Sequence, residues 1–147
     1  MALAALISWL VTAFVGLYLL VVWLIENDVT NRRAASPLPA PVIFGHMLLA
    51  LAGLAVWVVH LITGSAATGW AALGILGGIG LLGLTMFTRW IPVHTAYVAA
   101  EAKAGRSAEF DFPAEQAFPL PVVIGHGMLA STTVILVLLA MLGVGGS

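Results

Sequence analysis

Pro39-Ala-Pro-Val-Ile-Phe-Gly-His46-Met-Leu-Leu-Ala50 and Pro119-Leu-Pro-Val-Val-Ile-Gly-His126-Gly-Met-Leu-Ala130 lie eighty positions apart and agree at both prolines, the valine, the Gly-His pair and the closing Leu-Ala. Each opens a long apolar run, so each sets one histidine about two turns inside a helix whose other side chains are mostly hydrocarbon. Proline in the first helical turn gives up an amide that lacks an intrahelical partner anyway. Pro41 and Pro121 therefore read as helix starts, with Pro39 and Pro119 keeping the preceding chain extended. An ionisable ring inside such a helix needs a reason, and here it recurs at the same depth.

The rest of the chain reads as lipid-embedded. It has 147 residues, 62% of them hydrophobic and 7% charged, with a mean hydropathy of +1.13. Four runs are long enough to cross a bilayer, at about 3–25, 41–63, 70–88 and 121–142, which predicts an all-α integral membrane four-helix bundle over 1–147 as a single transmembrane domain. The first run lacks a basic leader and a small-residue cleavage pattern, so it is read as a span and not a signal peptide. The repeat unit is a whole hairpin. Spans one and two then match spans three and four in the same orientation, as two tandem hairpins about a pseudo-twofold along the membrane normal. A repeated helix start without duplication explains the same text, because spans one and three share little beyond being apolar.

All five basic residues follow the first span (Arg32, Arg33) or the third (Arg89, Lys103, Arg106), whereas the connection over 64–69 has none. Basic residues stay on the cytoplasmic side, so both termini are expected outside and the two longer connections inside. Trp9, Trp57 and Trp70 then fall toward the outer surface and Trp23 and Trp90 toward the inner one, as interfacial anchors do. The alanine- and glycine-rich composition is like that of GC-rich bacteria and makes a bacterial inner membrane the expected location. The absence of cysteine excludes disulfides, thiolate metal sites, iron–sulfur clusters and thioether-linked haem. A net charge of −1 offers no footprint for nucleic acid.

Span three carries Gly74, Gly77, Gly78, Gly80 and Gly83, a spacing that lets a second backbone approach closely or admits the face of a flat macrocycle. The inner loop over 89–118 is expected to hold a short surface helix over 95–105, ended by Gly105. The acidic and aromatic stretch Glu109, Phe110, Asp111, Phe112, Pro113 and Glu115 follows, as an ordered loop or a docking segment.

Three readings of His46 and His126 stand side by side. Two neutral imidazoles from different helices on opposite faces of one iron are what a six-coordinate haem b needs, with Gly45 and Gly125 relieving crowding beside the rings. Alternatively each ring bonds a neighbouring helix, with Ser131, Thr132 and Thr133 as available hydroxyls. A quinone or proton site is the third. Arg89 reads as an interface anchor with Trp90, or as a partner for a haem propionate; Arg32 and Arg33 have the same two roles. His94 reads as an exposed loop histidine, because no His-x3-His or Glu-x-x-His pair supports a metal cluster with the loop carboxylates.

His60 follows His46 by fourteen residues and returns to nearly the same helix face. With that spacing, spans two and four resemble the b-type four-helix membrane cytochromes of respiratory complexes. That resemblance implies haem ligation by His46 and His126, electron transfer with a menaquinone or ubiquinone pool, and a larger membrane complex or a homodimer as partner. It departs from the family where a second bis-histidine haem needs its fourth ligand, since Ala140 stands fourteen residues after His126. Met141, adjacent to that level, is the candidate for a His-Met pair with His60; otherwise His60 is an interfacial histidine bonded to water or the short loop. The Pro-x-Pro-Val-x-x-Gly-His text is also similar to that of small actinobacterial membrane proteins. A small redox subunit is thus the leading expectation, and a cofactor-free accessory or assembly subunit the alternative. A free-standing enzyme is not expected, because no nucleophile–base pair or phosphate loop is present.

Overall fold

The fold comes from a computed structural model, in which residues 1–26, 38–104 and 114–144 are described. Four α-helices run α1 Ala2–Glu26, α2 Ala40–Thr63, α3 Ala66–Ala104 and α4 Leu120–Met141, with a 3₁₀ turn, Ala114–Ala117, before α4. All four helices are long and apolar enough to cross a membrane, and the chain is an all-α, multi-pass four-helix bundle. Arg32, Arg33, Gly105, Arg106 and the stretch Glu109–Pro113 lie outside the described residues.

The two proline signatures do the same work. Pro39 and Pro119 are extended N-caps with φ −63° and −65°, and Pro41 and Pro121 occupy the first turn. Amides of Val42 and Val122 close onto the Pro39 and Pro119 carbonyls, each at 2.9 Å. Because α2 starts at Ala40 and α4 at Leu120, His46 and His126 are each six residues in, about 9 Å from the helix start.

Helix α3 departs from expectation at both ends. It begins at Ala66, leaving only Gly64 and Ser65 between α2 and α3. Gly64 takes the left-handed conformation (φ 67°) and returns its amide to the His60 carbonyl at 2.8 Å, a helix stop that suits glycine. At the other end, no break follows residue 88 and no separate surface helix forms, because α3 continues through Pro92 to Ala104. At 39 residues it is about 58 Å long, roughly twice the hydrocarbon thickness, so it projects well beyond the bilayer. Proline inside a helix costs about 3 kcal/mol through a lost hydrogen bond and ring crowding. The rings of Trp90 and His94 stack at 4.7 Å across that turn and hold its two sides in line. Thr95 Oγ1 adds bonds to the Ile91 and Pro92 carbonyls.

Packing is closest between α1 and α4 and between α2 and α3, and looser within α1–α2 and α3–α4. Exchanging α1 with α3 and α2 with α4 leaves that pattern unchanged, as a pseudo-twofold requires. Two buried clusters stack along the bundle. Ala5, Trp9, Trp57, Ala72, Leu76, Ile79 and Val137 form the one nearer Met1, and Trp23, Leu38, Ile43, Trp90, Ala114 and Phe118 the other. Four of the five tryptophans therefore face the interior and not the lipid boundary; only Trp70 is exposed. Their large rings fill the centre of a bundle with few other bulky side chains to spend there.

The acidic stretch also folds inward where it is described. Glu115 is completely buried. Its Oε1 accepts the Trp23 indole N–H at 3.1 Å and its main-chain carbonyl accepts that of Trp90 at 3.1 Å. One residue thus ties α1 to its diagonal neighbour α3. Replacing it (Glu115→Ala) leaves the Trp23 indole without an acceptor and is expected to cost about 1–3 kcal/mol. Thermal unfolding in detergent measures this, and an unchanged midpoint would show that the strap holds nothing.

Candidate functional site

Between the two clusters the bundle is not filled. A cavity of about 490 Å³ is lined mostly by apolar side chains of α1 and α2, with His46, His126, Thr12 and Thr133 as its titratable and hydroxyl groups. Leu10, Phe14, Leu17 and Leu51 line it and are themselves exposed, so it opens sideways between α1 and α2 onto the outer, lipid-facing surface. The volume is in the range of small-molecule and cofactor sites.

The two sequence-predicted histidines meet here. Their ring centres are 6.4 Å apart with an interplanar angle of 60°, although they stand on the diagonal helices α2 and α4. Each ring lies beside the backbone of a third helix, His46 beside Ile79 of α3 and His126 beside Thr12 of α1. Even so, Nδ1 of both rings is buried and has no hydrogen-bond partner. The hydroxyls expected to serve them are engaged elsewhere. Ser131, Thr132 and Thr133 bond the carbonyls of Gly127, Met128 and Leu129 on their own helix. Thr133 also meets Ser8 Oγ at 2.8 Å and Thr12 Oγ1 at 3.2 Å, which joins α4 to α1.

Room for the rings comes from glycines other than those expected. A Cβ on Gly45 or Gly125 would meet no atom of another helix within 4 Å. A Cβ on Gly16 lies 3.0 Å from His126 Cε1, and one on Gly83 lies 3.3 Å from His46 Cε1. A residue before a histidine on one helix points away from the ring's side; the neighbour that limits it stands on the facing helix. The signal for both was in the sequence. Gly16-Leu17 with Trp23 recurs as Gly83-Leu84 with Trp90 at the same internal spacing, a correspondence between α1 and α3 that matches the one between α2 and α4. The unequal connections hide it, because the offset differs from that of the histidines.

Four other glycines of α3, in the stretch the sequence singled out, pack nothing closely. Gly74, Gly77, Gly78 and Gly80 have open space where a Cβ would be. The buried positions of that stretch are Ala72, Leu76 and Ile79, a stripe rotated away from Gly74, Gly77 and Gly80. Arg89 is exposed on α3, next to Trp90. His94 is on α3 and not in a loop, half-buried under Trp90, with a buried Nδ1 that has no hydrogen-bond partner. Among the described residues no three His, Asp or Glu side chains converge as a metal cluster. His60 sits at the far end of α2, its Nδ1 2.8 Å from the Ser65 carbonyl, which matches the expected bond to the short connection.

Comparison with protein-family models, curated proteins and solved structures finds no match to this chain.

The close glycines make a contrast that tests the geometry. Gly16→Ala drives a methyl into His126 and is expected to lower stability by about 1–3 kcal/mol. Gly45→Ala and Gly125→Ala change it by no more than about 0.5 kcal/mol. Equal thermal midpoints for all three variants would show that the His126 ring does not abut α1.

Proposed function

We propose that this chain is a small membrane redox subunit that holds one haem b between His46 and His126 and exchanges electrons with a quinone pool, menaquinone or ubiquinone. The observation that carries the reading is the convergence of two imidazoles, each with a buried and unpartnered Nδ1, at 6.4 Å in an apolar cavity. A separation of 6.4 Å between ring centres is wide enough for one metal ion to be held by a nitrogen of each ring. The donor set fits, since neutral imidazole nitrogens are haem ligands and need no counter-charge in a low-dielectric site.

When bound, haem b supplies a one-electron couple. The chain's own residues supply the rest. His46 and His126 would hold the haem from diagonal helices, and Gly16 and Gly83 leave the gap in which the rings stand. The leucines and phenylalanine of the cavity exclude water, and the sideways mouth admits a flat apolar molecule from the bilayer. Arg89 is the residue of α3 assigned to a propionate, a pairing that suits guanidinium and carboxylate. The setting of this reading is a bacterial inner membrane with both termini outside the cytoplasm, and a larger membrane complex or a second copy as electron partner.

A reduced-minus-oxidised visible spectrum of the detergent-purified protein tests it. A sharp haem band is expected in the wild type, lost in His46→Ala and in His126→Ala, with helical circular dichroism retained in both. No band after expression with added haem, or a band that survives both substitutions, overturns it. A colourless protein that purifies only with a larger complex would establish the cofactor-free accessory role instead.

A further inference from the structure

At the opposite end of the bundle, where α2 and α4 finish and α3 begins, a second set of donor atoms gathers around Gly69. His60 Cε1 lies 3.0 Å from where a Gly69 Cβ would be, and Met141 Sδ overlaps the same place. The imidazole edge and the thioether therefore lie together against residue 69, and the thioether fills the space that its missing side chain leaves. Residues of three helices meet there, two of them distant in sequence from the third.

The hydrogen bond of His60 fixes its chemistry. Nδ1 faces the Ser65 carbonyl at 2.8 Å, and a carbonyl can only accept, so Nδ1 carries the proton and Nε2 is left with its lone pair. A histidine whose second nitrogen donates to a main-chain carbonyl is held in the tautomer and orientation that metal ligation uses. The ring is further fixed by Trp57, fully buried and tilted against it at 4.8 Å between centres. Thr68 Oγ1 and the Gly69 amide bond the same Ser65 carbonyl, at 2.8 and 3.3 Å, and stiffen the turn that anchors the ring.

We propose that His60 Nε2 and Met141 Sδ form a binding site for a monovalent soft metal ion of the Cu(I) class. The donor types choose the metal: thioether sulfur is a poor ligand for hard cations and a good one for Cu(I), and imidazole suits copper. Neither donor is charged, which matches a monovalent ion better than a divalent one in an apolar setting. The site is independent of the haem reading, because it uses none of the residues around His46 and His126.

Anaerobic competition with the Cu(I) complex of bicinchoninate, using the full chain in detergent, tests the assignment. The wild type is expected to withdraw one equivalent of Cu(I). His60→Asn and Met141→Leu are each expected to weaken binding about tenfold or more, and Gly69→Ala to weaken it although both ligands remain. A His46→Ala/His126→Ala double variant is expected to bind as the wild type does. Failure of the wild type to compete overturns the site. So does binding that persists in both His60→Asn and Met141→Leu, or that disappears only in the double variant. Thermal midpoints near that of the wild type certify each folded variant, and Gly69→Ala keeps the question open to refutation if one ligand variant does not fold.

Discussion

Each imidazole in the middle of the bundle stands where a side chain of the facing helix would otherwise be, and the bundle's centre depends on Gly16 and Gly83 leaving that place open. In hydrocarbon a polar ring gains nothing from water, so it must be given space and a partner by neighbouring helices. Here the space is provided twice, by a glycine of α1 against α4 and a glycine of α3 against α2. The partner is provided only in part, since each ring lies beside backbone while its Nδ1 stays unpaired. A buried nitrogen lone pair or N–H without a partner costs about 1–3 kcal/mol, and the bundle carries two of them at one level.

The rest of the architecture keeps that centre from collapsing. An apolar cavity of this size would shrink if the helices were free to close on it, because lining atoms without neighbours forfeit dispersion energy. The two clusters above and below act as spacers. Trp9 and Trp57 fill the bundle at one end and Trp23 and Trp90 at the other. Glu115 fixes the second pair by accepting both indole protons, one on its carboxylate and one on its carbonyl. A carboxylate buried beneath an apolar cavity is costly unless it is well bonded. Its placement at the junction of α1 and α3 sets the distance across that diagonal.

The bundle and its central pair were legible because they rest on local rules. Pro39, Pro41, Pro119 and Pro121 announce helix starts through their own backbone chemistry, and equal starts put His46 and His126 at equal depth. What could not be read are features decided by tertiary contact. Pro92 signals a helix end locally, yet stacking of Trp90 on His94 carries α3 through it. Glycine spacing in α3 suggests close packing, but only contact with α2 determines that Gly83 is the close one and that Gly74, Gly77 and Gly80 face outward. Glu115 reads as a loop acid until two indoles are brought to it. The tryptophans read as interfacial because their polar tips suit a boundary, yet the tips of Trp23 and Trp90 find their acceptor inside the bundle, on Glu115.

Symmetry explains why the central pair exists and why the two seams beside it differ. Residues related by a twofold meet only near its axis, and a histidine at the same position of α2 and α4 meets its counterpart there. Away from the axis the copies are separate and free to diverge. Gly53 on α2 lies against Ile75 of α3, whereas its counterpart Thr133 on α4 receives the hydroxyls of Ser8 and Thr12 of α1. The α2–α3 seam is closed by an aliphatic side chain set against a glycine, the α1–α4 seam by a chain of hydroxyls. The α1–α4 contact is thereby locked by polar bonds that hydrocarbon cannot replace, and α1–α2 is left as the looser side, where the cavity has its mouth. The cavity between the two histidines is thus flanked by matched imidazoles yet opens on one side alone, so the pocket is asymmetric although its two rings are paired.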